Sequence, residues 1–184
     1  MADVELLRSK LTLHPDFPKK GITFVDFLPI LRDAEMMETM VKHLSEHVTR
    51  GVISKLGERG EKLTTIVGLD ARGFLVGPMV AQRLGCGFVP VRKAGKLPGP
   101  CVQTSFTKEY GQDSFEVQRD AIKPGDNVVV IDDLIATGGT AKAAGDLVKA
   151  LDANLLEYLF VIELDSLNGR ALLDAPAYAI IHHQ

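Results

Sequence analysis

The sequence predicts an α/β protein, a single domain whose central and mostly parallel β-sheet carries helices on both faces. Short apolar runs rich in β-branched residues alternate with stretches of helical periodicity along the chain. One such run, Asn127–Ile131, is followed by two carboxylates and a glycine-rich loop, as expected at the ligand-binding edge of an open α/β sheet. The length of 184 residues suits one domain over residues 1–184.

In the first part of the chain, the sequence predicts two helices, one on each side of an irregular segment. A short helix is expected over Val4–Leu11, and two prolines and a glycine make Pro15–Gly21 irregular. A longer helix is expected over Asp33–Arg50, because one helical face collects the apolar side chains of Met37, Met40, Val41, Leu44 and Val48.

The remainder of the chain is predicted to form strands separated by helices. This alternation is typical of βαβ units and therefore of a parallel sheet. Helices are expected over Phe74–Leu84, ended by Gly85, and over residues 141–151. Pro90 places its strand near a sheet edge or a bulge. The predicted strands are Leu63–Leu69, Gly87–Arg92, Asn127–Ile131, Leu155–Leu164 and Tyr178–His182.

The stretch Ala94–Asp120 does not follow this alternation. Two weakly alternating runs, Cys101–Tyr110 and Ser114–Gln118, predict a two-stranded hairpin that leaves the main sheet. A connection of this length in a compact domain is usually functional, and a surface embellishment is the alternative.

Composition excludes several classes of protein. Hydrophobic residues make up 46% and charged residues 24% of the chain, the balance of an ordinary globular protein. The net charge of −3 disfavours a nucleic-acid partner. Neither a membrane-spanning run nor a signal peptide is recognisable, so we expect a cytoplasmic protein with no membrane partner. Cys86 and Cys101 lack metal-site spacing and are expected to be reduced thiols.

The loop of residues 136–140 carries a strong functional signal. Gly138 and Gly139 allow positive φ and a close approach of backbone to ligand. The N–H groups at the start of the following helix favour an anion, and Thr137 and Thr140 add hydroxyl donors. The pattern is neither a Walker A loop nor GxGxxG, and it predicts a phosphate-binding loop of another kind.

Asp132 and Asp133 limit the kinds of ligand that this site is expected to bind. Two carboxylates beside a phosphate site would repel the phosphate unless they served another group. The vicinal hydroxyls of a ribose are natural partners, and a magnesium ion shared with the ligand is another. A solvated acidic turn explains either residue alone but not the whole run.

The run Val128–Thr140 closely resembles the phosphoribosyl-pyrophosphate signature of the type I phosphoribosyltransferase family. The resemblance covers about Asp16 to Tyr178 and points to the members that act on adenine. Hypoxanthine-guanine and orotate enzymes share the signature run but not the segment Arg92–Gly99. The other matching segments are Phe17-Pro18 with Gly21 and Phe24, Gly68–Phe74, Glu109–Gly111, Leu155–Tyr158 and Glu163-Leu164.

The resemblance implies that adenine and 5-phosphoribosyl 1-pyrophosphate are converted to AMP and pyrophosphate, a reaction of purine salvage. It implies Mg²⁺ as cofactor, bound mainly through substrate and water with no direct protein ligand. It further implies a homodimer, an N-terminal base-binding hood over about residues 1–34 and a flexible lid over about residues 94–120. A lid would exclude water from a reactive sugar cation.

The resemblance also implies a role for individual residues. The catalytic residues are Glu109, which handles the purine proton, and Asp132 and Asp133, which hold the ribose diol. The 5′-phosphate would be bound, beside both aspartates, by Ala136, Thr137, Gly138, Gly139 and Thr140. Pyrophosphate would be bound by Ala71, Arg72, Arg92, Lys93, Lys96 and Tyr110, the turn at residues 70–73 often using a cis peptide. Adenine would contact Thr23, Phe24, Val25 and Leu134, with Phe24 and Leu134 on its two faces.

Three alternatives stay open. A regulator that only senses phosphoribosyl pyrophosphate usually adds a DNA-binding domain, for which we expect no room in this chain. A catalytically silent paralogue would have little use for Arg72, Lys93 and Glu109. A 6-oxopurine transferase normally needs a donor such as lysine near the base, and Val161–Ser166 offers none.

Overall fold

Residues 2–108 and 111–184 are described by the structure, a computed structural model, with side chains described for 3–105 and 114–184. The strands of this part are β1 Thr12–Pro15, β2 Thr23–Asp26, β3 Thr65–Leu69, β4 Gly87–Lys93, β5 Cys101–Lys108, β6 Gly111–Gln118, β7 Asn127–Ile135, β8 Asn154–Leu164 and β9 Ala177–His183. Its helices are α1 Ala2–Ser9, α2 Leu28–Leu31, α3 Ala34–Val48, α4 Ser54–Gly57, α5 Gly73–Leu84 and α6 Gly139–Ala150. A π-helical turn, Thr49–Ile53, joins α3 to α4, and 3₁₀ turns Asp165–Leu167 and Gly169–Leu172 precede β9.

The main sheet has seven strands in the order β5-β6-β4-β3-β7-β8-β9. The five strands from β4 to β9 in this order are parallel, which confirms the predicted α/β fold. The β5–β6 hairpin is antiparallel, as predicted, but it extends the sheet because β6 pairs with β4 at Arg92 and Lys93. The Gly87 N–H donates to the Thr64 carbonyl, and alternate residues of a strand point the same way, so Pro90 faces away from β3. Because β6 pairs with β4 only at Arg92 and Lys93, the missing N–H of Pro90 leaves no gap in the ladder.

Helices α5 and α6 cover opposite faces of this sheet. The connection through α5 leads from β3 outward to β4, whereas α6 leads from β7 outward to β8, and right-handed crossovers in opposite directions place helices on opposite faces. Val128 and Val130 belong to the core under α6, together with Leu147. Ile131 faces α5, where Gly77 lets the helix approach: a Cβ there would lie 3.1 Å from Ile131 Cγ2.

Backbone contacts divide the chain into two units, Met1–His43 and Leu44–Gln184. In the first unit, β1 and β2 form an antiparallel pair in which Leu13 lies opposite Val25. The sequence did not predict this pair. The second unit holds the seven-stranded sheet.

Two further differences from the predicted elements concern length. The helical segment that begins at Ala34 continues through the π-helical turn to Gly57, beyond the predicted end at Arg50. Strand β7 continues through both aspartates to Ile135, whereas the prediction ended it at Ile131. Across the described ranges, no helix has both the length and the apolar character required to span a bilayer.

Candidate active site

A cavity of about 280 Å³ opens where β3, β4 and β7 end. The carboxyl ends of parallel strands meet at one sheet edge, so segments distant in sequence converge there. The residues that line the cavity are Asp70, Ala71, Arg72, Lys93, Phe115, Asp132, Asp133, Leu134, Ile135, Ala136, Thr137, Gly138, Gly139, Thr140 and Ala141. The cavity thus brings together the predicted phosphate loop, both predicted aspartates, Leu134 and three of the residues predicted to bind pyrophosphate.

The turn after β3 faces the end of β7 through an ion pair. Arg72 Nε lies 3.0 Å from Asp133 Oδ2, and the Asp133 side chain is only 3% exposed. The Asp70–Ala71 peptide between β3 and this arginine is cis, as the resemblance implies. A planar guanidinium here is a bidentate donor suited to phosphate oxygens.

Asp132 lies beside this pair at the cavity wall. Its Oδ1 accepts a hydrogen bond of 2.9 Å from the backbone N–H of Asp133. Burial, followed by the adjacent Asp133 charge, raises the pKa of Asp132 well above its ordinary value. Burial also raises the pKa of Asp133, although the Arg72 charge opposes that shift. The two carboxylates therefore hold a proton more readily than exposed aspartates do.

Gly73 explains how α5 reaches the strand that carries these carboxylates. A Cβ at this position would lie 2.8 Å from the carbonyl oxygen of Ile131 and 3.2 Å from Asp132 Oδ1. Only glycine leaves room for the helix start at this distance.

The loop before α6 has the backbone of an anion site. Gly138 adopts φ +85°, in the left-handed region, and directly precedes the helix. The first intrahelical bond runs from the Lys142 N–H to the Gly138 carbonyl at 2.9 Å, so the N–H groups of the first turn have no helical partner. With the helix dipole they favour a phosphate at the cavity floor.

The predicted pyrophosphate-binding residues Arg92, Lys93 and Lys96 divide into two groups. Lys93 lines the cavity. Arg92 instead pairs with Asp70, its Nε lying 2.9 Å from Oδ2, and Arg92 Nη1 donates to the Lys96 carbonyl at 3.3 Å. The Lys96 side chain is exposed. Neither Arg92 nor Lys96 is among the residues that line the described cavity.

Glu116 organises the turn that follows β4 and was not singled out from the sequence. Its Oε1 accepts hydrogen bonds of 2.8 Å from the backbone N–H groups of Lys96 and Leu97. Burial opposes ionisation, yet these N–H donors and that of Gly95 leave the pKa of Glu116 lowered. The cavity residue Phe115 was missed as well, since only the pairing of β6 with β4 places it there.

The predicted adenine-binding residues Thr23, Phe24 and Val25 are not among those that line the described cavity. Thr23, Phe24 and Val25 are on β2 of the first unit, where Val25 is buried and the Phe24 ring meets Phe17 edge to face at 5.3 Å. Two predicted residues, Glu109 and Tyr110, fall outside the residues that the structure describes.

The arrangement offers three kinds of recognition within one cavity. Backbone N–H groups and hydroxyls of residues 136–140 suit a phosphate, and the carboxylates of Asp132 and Asp133 suit hydroxyl donors. Arg72 and Lys93 supply cations for a second anionic group. A phosphorylated sugar with a further anionic substituent fits this set.

Comparisons with known proteins agree with this chemistry. The family described as phosphoribosyl transferase domain matches residues 38–182. "Adenine phosphoribosyltransferase 1" of Saccharomyces cerevisiae is 51% identical over 177 residues, covering 95% of this chain and 91% of the relative. "Adenine phosphoribosyltransferase" of Yarrowia lipolytica is 50% identical over 178 residues, covering 97% and 94%.

A solved structure extends the similarity to the fold. Crystalline adenine phosphoribosyltransferase from Saccharomyces cerevisiae, complexed with D-2,5-dideoxy-2,5-imino-altritol 1,6-bisphosphate and adenine, is 49% identical. It superposes with a TM-score of 0.91, covering 97% of this chain and 98% of that one. Fold, cavity and sequence identity together establish that this chain belongs to the adenine phosphoribosyltransferase family of phosphoribosyltransferase enzymes.

Proposed function

We propose that the chain transfers the phosphoribosyl group of 5-phosphoribosyl 1-pyrophosphate to adenine, giving AMP and pyrophosphate. The observation that carries this proposal is the single cavity shared by the loop 136–140, Asp132, Asp133, Arg72 and Lys93. The high identity to enzymes named adenine phosphoribosyltransferase supports adenine as the base.

The transfer is a displacement at C1 of the ribose. The bond from C1 to the pyrophosphate oxygen breaks, the bond from adenine N9 to C1 forms, and N9 loses its proton. The loop 136–140 holds the 5′-phosphate, whose binding energy far from C1 orients the reacting centre. Asp132 and Asp133 accept hydrogen bonds from the ribose hydroxyls and lie where positive charge develops on the sugar. Arg72 and Lys93 stabilise the departing pyrophosphate.

Magnesium fits this site as an ion that arrives with the substrate. Mg²⁺ keeps several waters and is usually held by one or two carboxylates together with substrate phosphates. Asp133 and Asp70 each pair with an arginine, which leaves Asp132 as the cavity carboxylate without an arginine partner among the described residues. When bound, Mg²⁺ would neutralise diphosphate charge, and Asp132 would contact it through water.

Several parts of the proposal rest on the family resemblance. Glu109 handles the purine proton, and Tyr110, Arg92 and Lys96 assist pyrophosphate binding. Thr23, Phe24, Val25 and Leu134 bind adenine. The segment of about residues 1–34 acts as a hood and that of about residues 94–120 as a lid, in one domain over 1–184 that assembles as a homodimer. The free thiols of Cys86 and Cys101 support a cytoplasmic location.

The double variant Asp132→Asn, Asp133→Asn tests the proposal. We expect the wild type to form AMP from adenine and phosphoribosyl pyrophosphate, and the folded variant to lose at least about 100-fold in kcat, in line with the loss of electrostatic stabilisation. Full activity of the folded variant would contradict the role of the aspartates. Wild-type protein that binds phosphoribosyl pyrophosphate in calorimetry but forms no product with any base would favour a sensor or a silent paralogue.

A further inference from the structure

Gly169 packs its backbone directly against the phosphate-binding loop. A Cβ placed on Gly169 would overlap the carbonyl oxygen of Ala136 and would lie 2.7 Å from the backbone nitrogen of Gly138. A Cβ placed on Gly138 would in turn overlap the carbonyl oxygen of Gly169. Neither residue tolerates a side chain, so the contact is one of backbone with backbone.

Space alone makes glycine necessary at position 169. Gly138 has a positive φ, which favours glycine for conformational reasons as well, but Gly169 does not have one. Gly169 is buried at the start of the 3₁₀ turn Gly169–Leu172. An alanine at 169 would therefore keep an acceptable backbone and displace the neighbouring loop.

Arg170 fixes this glycine to the sheet. Arg170 Nε donates to Glu163 Oε1 at 3.1 Å, and Arg170 Nη2 pairs with Glu163 Oε2. Arg170 Nη1 donates to the carbonyl oxygen of Ala177 at 2.7 Å, which ties the turn to the start of β9. The buried Glu163 lies on β8 opposite Ile135, the residue that ends β7 just before the loop. These contacts form a closed ring: Ile135 pairs with Glu163, Glu163 binds Arg170, and Gly169, next to Arg170, packs against the loop that follows Ile135.

This ring holds the loop through residues outside the cavity lining. Residues 136–140 line the cavity, whereas Gly169 and Arg170 are not among its lining residues. Aligned N–H groups bind a phosphate well only when their directions are fixed in advance.

We propose that Gly169, held by the Arg170–Glu163 ion pair, sets the shape of the phosphate-binding loop and thereby the affinity of the site for the 5′-phosphate. The inference rests on the proposed function, because it takes residues 136–140 to hold that phosphate. Gly169 and Arg170 are positioning residues in this account.

Calorimetry with ribose 5-phosphate tests the proposal without turnover. Gly169→Ala is expected to raise the Kd for ribose 5-phosphate about tenfold or more, the loss of one hydrogen bond to a charged group. Arg170→Met should raise it as well, and Arg170→Lys should fall between Met and wild type because lysine lacks the bidentate fork. The matched control is Gly57→Ala, since a Cβ on Gly57 meets no atom within 4 Å.

Kinetics separate positioning from a merely structural role. If Gly169 and Arg170 position the loop, their variants should have a raised KM for phosphoribosyl pyrophosphate. The KM for adenine, measured at saturating phosphoribosyl pyrophosphate, should change by less than about twofold. Loss of folded protein alone would lower kcat and leave the Kd of the remaining folded molecules unchanged. Should Gly169→Ala fail to fold, the two Arg170 variants carry the same comparison.

Failure of this inference and failure of the proposed function would give different calorimetric results. Ribose 5-phosphate affinity within about twofold of wild type in the folded Gly169 and Arg170 variants would overturn this inference alone. A wild type that binds no ribose 5-phosphate would overturn the proposed function together with this inference.

Discussion

The Nε of Arg72 lies 3.0 Å from Oδ2 of Asp133, an ion pair that joins the start of α5 to the end of β7. The Asp133 side chain is almost fully buried, whereas that of Arg72 is 35% exposed and lines the cavity. The arginine thus compensates a buried charge on one side and faces the cavity on the other. The same side chain therefore contributes to the stability of the fold and to the charge of the cavity.

A double-mutant cycle on the pair should show strong non-additivity. Arg72→Met leaves a buried carboxylate unpaired, so we expect it to lower the free energy of unfolding by about 1–3 kcal/mol. Asp133→Asn removes the charge that needs the arginine, and the double variant should recover part of this loss. Urea unfolding of the four proteins measures the coupling energy, expected at about 1–3 kcal/mol. Additivity within about 0.5 kcal/mol would refute the coupling.

Asp132→Asn should raise stability while it abolishes activity. Because the pKa of Asp132 is raised, the folded protein binds more protons here than the unfolded chain does. The contribution of Asp132 to stability is therefore greatest below the ordinary value of 3.8 and falls as the pH rises through the raised pKa. A neutral asparagine avoids this loss and still accepts the N–H of Asp133. We expect the Tm at pH 7 to rise by about 2–4 °C, which is the shift that a stabilisation of about 1 kcal/mol produces in a domain of this size.

The control for this variant is Asp120→Asn, which changes an exposed carboxylate. We expect its Tm at pH 7 to stay within about 1 °C of wild type, as for most surface substitutions. A Tm of Asp132→Asn equal to or below that of wild type would contradict the argument. In wild type, activity should fall on acidification at a higher pH than an ordinary aspartate would give.

Asp174 should confer stability that acid removes. Burial raises the pKa of this carboxyl, but hydrogen bonds from Lys149 Nζ at 2.6 Å and Tyr158 OH at 3.0 Å prevail and lower the pKa to about 2. The stabilisation is present above the ordinary value of 3.8 and is lost as the pH falls toward 2. We expect Asp174→Asn to lower the free energy of unfolding by about 1 kcal/mol at pH 7 and by less at pH 3.

Urea unfolding of Asp174→Asn at both pH values measures the difference. The comparison is Glu46→Gln, which removes an exposed i,i+4 pair with Arg50 and should cost less than about 0.5 kcal/mol. An effect of Asp174→Asn that is as large at pH 3 as at pH 7 would rule out the ionised carboxylate as its source.

The alternation of strands and helices could be predicted because each element carries its own local pattern. The β1–β2 pair could not, since its four-residue strands are short and their pairing joins segments separated by a turn at Asp16–Ile22. The end of β7 was misplaced because aspartate is rare in strands. Burial alternates through this end, with Asp133 and Ile135 inward, which shows that strand geometry persists there.

The phosphate loop and the two aspartates could be predicted because they form one continuous run. The partner of Arg92 could not, because Asp70 reaches it only through the parallel pairing of β3 and β4. Glu116 became recognisable only through the β4–β6 register, which places it opposite Arg92. Gly169 lies 31 residues after Gly138 in the sequence, and no local pattern signals that their backbones touch.

The most direct measurement is a base panel with the purified protein. Adenine, hypoxanthine, guanine, uracil and orotate are supplied separately with Mg²⁺ and phosphoribosyl pyrophosphate, and nucleotide and pyrophosphate are quantified. The account predicts AMP and pyrophosphate in equal amounts from adenine, and no nucleotide from the other bases. IMP or GMP as the main product would contradict adenine as the substrate.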